Sequence, residues 1–243
     1  LDEKDKPKYL VKKGDVLFRL EGDACKILEV ERTLLNLLQR MCGIATAASQ
    51  FKTIHASIAV TRKTPLSFID KRAAMDGGAL AHRINLSDAI LIKDTHLDQF
   101  GRDFKIVEKR LTDGRKTDLF SRISFVEVEV ENAKEALCVA AMSVRLDLPV
   151  PFVIMLDNFT PAHIKKTVAA LQKAGLYDCV LLEVSGGINA KNYKKYDIKG
   201  VDVMSVGEIT HSVKACDISM KIMYTPSHAD VCGRLPGRPF RGR

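Results

Sequence analysis

No run of about 18 uninterrupted apolar residues occurs in the 243-residue chain, so no membrane span is expected. The first ten residues, LDEKDKPKYL, mix charges of both signs and lack an apolar stretch, so they are not expected to act as a secretory signal. Glycine (15) and proline (8) are too sparse for a collagen-like or low-complexity chain. No GxxxxGK[ST] and no GxGxxG occurs, which removes a P-loop and a Rossmann dinucleotide site. The six cysteines are never closer than sixteen positions, so no CxxC zinc or redox motif exists. Most of them sit in apolar periodic segments, where cysteine is expected as a reduced, buried hydrophobe in a cytoplasmic protein. Dense Lys/Arg runs with interleaved aromatics are also missing. The net charge of +8 is partly a tail effect, with four arginines against one aspartate after Met223. A nucleic-acid partner is therefore not expected, and anionic small molecules explain the basic balance better.

What is present is order of a repeating kind. Residues 1–28 read as short extended pieces, with Val16, Phe18 and Leu20 alternating against Leu17, Arg19 and Glu21. They predict a strand pair, taken as the remnant of an N-terminal sandwich domain. From Leu28 the spacing becomes helical, and Val30, Leu34, Leu35, Leu37, Leu38, Met41 and Ile44 predict a long connecting helix within 29–56, bent at Gly43. Over 57–222 six apolar runs, at 57–64, 88–96, 124–132, 151–159, 179–187 and 201–208, alternate with helical stretches near 66–80, 97–112, 132–146, 161–174, 189–197 and 208–221. Six β–α units in series indicate a parallel sheet. Residues 223–243 lose all periodicity and are expected to be a disordered basic tail.

Nearly every apolar run ends in a chemically active cluster: Thr61-Arg62-Lys63, Lys93 to His96, Glu129, Asp157-Asn158, Ser185-Gly186-Gly187 and Gly207. An open doubly wound sheet gathers its ligand groups at one switch point, whereas a barrel gathers all its strand ends around one mouth. The fold class expected is therefore α/β, an incomplete parallel (β/α) barrel of about six strands with a truncated N-terminal α/β sandwich domain. Arg62, Lys63, His82, Arg83 and Lys93 follow the first strands, and cations converging on one cleft imply a polyanionic ligand. Solvated surface charge is the ordinary alternative. Glu127, Glu129 and Glu131 share one face of a strand. Facing a barrel interior they require a counter-charge or Mg²⁺; on an edge strand they would sit in water. Asp157, closing the apolar run FVIML, is a further candidate. The Gly-rich turn at Ser185 to Gly187 and SVGE at 205–208 offer backbone N–H groups and helix N-termini to an anion, although tight turns explain glycine equally well.

These clusters in this order resemble nicotinate-nucleotide pyrophosphorylase (carboxylating), the quinolinate phosphoribosyltransferase family. The matching stretches are ERTLLNLLQRMCGIAT (31–46), TRKTP (61–65), GGALAHRINLSDAILIKDTH (77–96), VEVEVEN (126–132), IMLDNFTP (154–161), LEVSGGIN (182–189) and GVDVMSVGEITHSVKACDISMKI (200–222). The resemblance implies a homodimer and an open α/β barrel. It also implies phosphoribosyl transfer from phosphoribosyl pyrophosphate to quinolinate with loss of CO₂. Carried over by motif, Arg32 would reach the neighbouring subunit's site. Thr61, Arg62, Lys63, His82, Arg83 and Lys93 would hold quinolinate and help neutralise pyrophosphate. Glu129 and Asp157 would hold the ribose hydroxyls and Mg²⁺, making them catalytic with Lys63 and Lys93. Ser185, Gly186, Gly187, Val206, Gly207 and Glu208 would bind the 5-phosphate, with His211 nearby. The sequence departs from the family at PLSFIDKRAA (65–74) and at Glu208, where a small residue is commoner. Competing expectations are a paralogue acting on nicotinate or another base, a Schiff-base enzyme using Lys93, and a phosphate-binding barrel without catalysis.

Overall fold

The computed structural model describes residues 10–223. Helix α1 (Ala24–Ser49) opens on Asp23, whose side chain accepts from the Lys26 N–H, and buries Leu35, Ile44 and Ala48. Six parallel strands follow: β1 (Ser57–Ala59), β2 (Ile90–Ile92), β3 (Val126–Val130), β4 (Phe152–Asp157), β5 (Leu181–Ser185) and β6 (Val203–Ser205). The connecting helices are α2 (Ser67–Asp76), α3 (Asp94–Gln99), α4 (Phe104–Gly114), α5 (Leu119–Arg122), α6 (Ala133–Leu146) and α7 (Pro161–Lys173), with α8 (Glu208–His211) after the last strand. Asn132 and Thr160 cap α6 and α7 with their side chains, and Pro161 sits at the first turn, where its missing N–H costs nothing.

The sheet order is β1-β6-β5-β4-β3-β2. That is the cyclic order of a six-stranded barrel cut once, between β1 and β2; a doubly wound sheet would reverse direction at a switch point. At the cut, Leu80 bridges β1, with its N–H donating to the Ile58 carbonyl (2.7 Å) and its carbonyl accepting from the Val60 N–H (3.0 Å). The ring is open at this seam. One sheet face packs on the helices: Ile58, Val60, Val126, Val128, Val130, Ile154, Leu156, Leu182, Val184, Met204 and Val206 all belong to the main core cluster.

Several expectations change. Among residues 10–23 there is no strand pair, and Val16, Phe18 and Leu20 are exposed, because no described strand lies within reach to accept their backbone or cover their side chains. Helix α1 starts at Ala24 and is continuous through Gly43. The glycine serves close packing, since a Cβ there would lie 3.0 Å from the Lys214 carbonyl carbon and 3.1 Å from the Ala215 Cα. The stretch expected near 97–112 divides into α3 and α4, because Gly101 and Arg102 both have positive φ (60° and 54°) and cannot continue a right-handed helix. The stretches near 189–197 and 208–221 shrink to a 3₁₀ turn at Tyr193–Lys195 and to α8. The five described cysteines are not buried: Cys25, Cys138 and Cys179 are exposed, Cys42 and Cys216 half-buried, and all five are free thiols. The expected tail falls, after Met223, outside the described residues. No described helix is long and apolar enough to cross a membrane.

Candidate active site

In-register neighbours in a parallel sheet point to the same side. Glu127 pairs with Val153 and Leu91, Glu129 with Met155, Glu183 with Met155 and Val203, Asp157 with Ser185, and Ala59 with Ser205. These residues therefore share the face opposite the helices, the interior of the open ring. Both Glu127 and Glu129 are buried, which decides against an edge strand in water; Glu131 lies beyond β3 and is exposed. All six strands deliver their chemical groups at the same C-terminal edge.

The cations gather beside the seam. Arg83 is only 6% exposed, yet no carboxylate pairs with Arg62, Lys63, Arg83 or Lys93 among the described residues. Burial and the nearby Arg62 charge both hold the Arg83 guanidinium below its ordinary value. A lysine that the sequence did not single out, Lys71 on α2, is buried at 2% exposure. Burial, Arg62 and Arg83 lower it to about 8. Its ammonium donates to the Ala81 and Arg83 carbonyls (2.5 and 2.6 Å), pinning the turn that carries His82 at φ 53°. Buried Lys71 and Arg83, repelled by the exposed Arg62 charge and with no salt-bridged acid among the described residues, suit a bound anion. Arg62 also lines a shallow surface cleft of about 460 Å³ with Ser67, Ile84, Asn85, Leu86 and Ser87.

The acids lie across the mouth. Burial pushes the Glu129 carboxyl up to about 7, and the charges of Asp157 and Asp94 add to it while Lys93 opposes. Asp157 accepts hydrogen bonds from the Ser185 hydroxyl and the Asn158 amide, so Ser185 is already engaged. Two carboxylates meeting at strand ends provide hard oxygen ligands that suit a divalent cation. Gly186 and Gly187 have φ of 94° and 62°, and a Cβ on Gly186 would lie 2.8 Å from the Asn158 nitrogen. The side-chain amides of Asn189 and Asn192 brace this loop by donating to the Gly187 carbonyl (3.1 and 3.0 Å), and Glu208 accepts from the Ala190 N–H (2.8 Å). The loop leads to a single 3₁₀ turn, so no α-helix N-terminus backs it. Val206 faces the core. Gly207 sits between His211 and Thr61, whose atoms would lie 3.1 and 3.5 Å from a Cβ. Thr61 in turn accepts from the Lys63 N–H (3.2 Å).

Deeper in the ring, His82 Nε2 lies 3.0 Å from Glu127 and 3.2 Å from Glu183. A second buried network braces the TRKT loop. Asp70 takes both donors of the Arg40 fork (2.7 and 2.6 Å) and the Thr64 hydroxyl, Arg40 reaches the Thr210 carbonyl, and Thr210 donates to the Lys63 carbonyl (3.1 Å). Sequence reasoning missed Arg40, Asp70, Lys71 and Glu183 as site supports. Only Glu183 carried a signal, a charge inside an apolar strand. Lys93 is exposed rather than enclosed in apolar surroundings, which weighs against a Schiff-base role. Arg32 is not brought to the mouth: its side chain is exposed and, among the described residues, pairs only with Glu31 on the same helix, at 3.7 Å.

The comparisons with known proteins agree with this geometry. The family model described as the quinolinate phosphoribosyl transferase C-terminal domain matches residues 44–221, and the N-terminal domain model of the same enzyme matches 9–42. A probable nicotinate-nucleotide pyrophosphorylase [carboxylating] of Archaeoglobus fulgidus is 35% identical over 88% of this chain and 80% of its own length. That of Methanothermobacter thermautotrophicus is 39% identical over 86% of this chain and 73% of its own. The solved nicotinate-nucleotide pyrophosphorylase from Francisella tularensis superposes with a TM-score of 0.65 at 34% identity, over 82% of this chain and 66% of that one. The NadC structure from Streptococcus pyogenes gives 0.68 at 33% identity over the same shares.

Proposed function

The chain belongs to the quinolinate phosphoribosyltransferase family, and from that premise we propose that it transfers phosphoribose from phosphoribosyl pyrophosphate to quinolinate. Loss of CO₂ then yields nicotinate mononucleotide and pyrophosphate, a step of NAD biosynthesis. The observation that carries this reading is the cluster of Arg62, Arg83 and Lys71, crowded together and with no salt-bridged acid among the described residues. Quinolinate is a dianion and its co-substrate a polyanion, so together they supply the charge this cluster lacks.

In this reading Arg62, Lys63, His82, Arg83 and Lys93 take the quinolinate carboxylates and the leaving pyrophosphate, with Thr61 beside them. Glu129 and Asp157 hold the ribose hydroxyls and stabilise the positive charge that builds on the sugar as pyrophosphate departs. The same two carboxylates would hold Mg²⁺, which when bound neutralises phosphate charge. Ser185, Gly186, Gly187, Val206, Gly207, Glu208 and His211 form the 5-phosphate end. The new bond joins the pyridine nitrogen to the sugar. The nitrogen becomes cationic and stabilises the carbanion left on the adjacent carbon when its carboxylate departs as CO₂; that carbon then takes up a proton to give the product. No covalent enzyme intermediate is needed, and orientation supplies most of the catalysis. The active form is a homodimer, in which Arg32, exposed on α1, enters the neighbouring site. Five free thiols fit a reducing compartment, the cytoplasm.

Product analysis with quinolinate, phosphoribosyl pyrophosphate and Mg²⁺ tests the proposal. Nicotinate mononucleotide and CO₂ are expected in equal amounts. Arg62→Ala should lower kcat/KM by about 100-fold, the value of one charge-assisted bidentate contact. Nicotinate turned over as well as quinolinate would overturn the assignment in favour of a paralogous reaction.

A further inference from the structure

The cluster in the floor of the ring contains more than one histidine needs in order to bind a ligand. Glu127 from β3 and Glu183 from β5 are fully buried, on either side of β4, whose interior residues Val153 and Met155 carry no charge. Both aim their Oε2 at the same imidazole nitrogen. Glu183 is further held through Oε1, which accepts from the Ser205 hydroxyl (2.5 Å). Neither the Glu127 oxygens nor His82 Nε2 form a hydrogen bond of good geometry, so Glu127 is compensated by charge, from His82 at 3.0 Å and from nearby Arg83. The Phe125 ring packs edge-on against the imidazole at 5.2 Å. Two buried carboxylates beside a neutral imidazole would leave two anions facing only Arg83 and one hydroxyl, so the cluster favours a proton on the ring. Once Nε2 faces the floor, Nδ1–H is the only donor that the ring can offer to a ligand.

We propose that Glu127 and Glu183 are positioning residues that lock His82 as an imidazolium with Nε2 turned to the barrel floor, reserving Nδ1–H for a carboxylate of the aromatic dicarboxylate substrate. The substrate half of this proposal rests on the function proposed above; the charge lock rests on the cluster alone. Burial works against the imidazolium, but the two carboxylates outweigh it and push His82 up to about 10. The charged groups facing His82 are these two glutamates; Arg83, the next residue, acts on Glu127, and the Lys71 ammonium holds the flanking carbonyls. The stabilising charge on His82 is fully present below the ordinary histidine value near 6.5 and is lost as pH rises through about 10.

The test is an NMR titration of ¹⁵N-histidine in the full chain, with the His82 signals identified by their loss in His82→Asn. In the wild type the ring is expected to stay an imidazolium past about pH 8.5. In Glu127→Gln/Glu183→Gln its midpoint should fall by at least about 2 units. In the same variant the KM for quinolinate should rise about tenfold while that for phosphoribosyl pyrophosphate stays within about twofold. If the double variant does not fold, as near-UV circular dichroism would reveal, Glu127→Gln alone should give a smaller shift in the same direction. A wild-type midpoint near 6.5, no shift in the variants, or stoichiometric Zn²⁺ binding that abolishes the imidazolium signal would overturn the lock. A shifted midpoint with unchanged quinolinate KM would overturn the substrate half only. A shifted midpoint in a protein that turns over no quinolinate would sustain the lock and reject the proposed reaction.

Discussion

Single residues in this protein differ most in whether their charges are compensated inside the molecule. Asp70 is fully buried and takes the whole Arg40 fork, whereas Arg83, nearly as buried, forms no salt bridge among the described residues. The first arrangement stabilises the fold and the second awaits a ligand. Burial pushes the Asp70 carboxyl up, but Arg40 and Thr64 outweigh it and hold it below the usual carboxylate range. A depressed carboxyl contributes stability that is present above its unfolded value near 4 and is lost as pH falls through the folded value. Asp70→Asn should therefore cost about 3–5 kcal/mol at neutral pH, since it strands a partly buried guanidinium. It should also flatten the decline of wild-type stability below about pH 5. Urea denaturation of both proteins across that range checks this, and equal acid slopes would remove Asp70 from the account.

At the scale of elements, the fold depends on strands with two unlike faces and on helices that approach closely. In β3 the sequence VEVEV places valines against the helices and glutamates in the ring, and both sets are buried, so alternation here separates two interiors and not core from solvent. Close approach is set at Gly43 and Gly77, where a Cβ would overlap residues 214–215 and α1 respectively. Alanine at position 43 gains up to ~1 kcal/mol of helix propensity. It must also displace the backbone of the segment that follows α8, whose Cys216 N–H donates to the Gln39 carbonyl. Gly43→Ala is expected to lose ~1–3 kcal/mol net. In a chain of this size each kcal/mol lowers Tm by about 2–4 °C, as calorimetry would measure. An unchanged or higher Tm would mean that residues 214–216 give way freely.

For the whole molecule, the described chain has a well-filled ring and an uncovered leading segment. Leu10, Val11, Val16, Phe18, Leu28 and Val30 are exposed in succession, and α1 is not buried until Leu35. So many exposed apolar side chains along one segment suit an interaction site. With the proposed homodimer, sedimentation should give twice the 27.0 kDa chain mass. Leu28→Lys/Val30→Lys should shift the protein to monomer and lower quinolinate turnover together with it, because Arg32 lies on the same helix. A monomeric wild type, or an active monomeric variant, would detach Arg32 from the site.

The sequence by itself determined the number, order and parallel direction of the β–α units. Those features follow from local alternation of period 2 and period 3.6, and the groups at the strand ends follow from position along the chain. The motif stretches likewise placed Arg62, Arg83, Glu129 and Asp157 at one edge. Helix ends were less legible: the left-handed pair at Gly101 and Arg102 and the shortening after Asn189 and Glu208 arise where tertiary hydrogen bonds replace helical ones. Only the tertiary structure decided that Lys71 clamps the His82 turn, that Glu127 and Glu183 converge on one nitrogen, and that Asp70 joins α1, α2 and the TRKT loop. Each depends on residues distant in the chain meeting where water is excluded. A charge reads the same in sequence whether it ends in solvent or in that interior, and its chemistry is set by which of the two it meets.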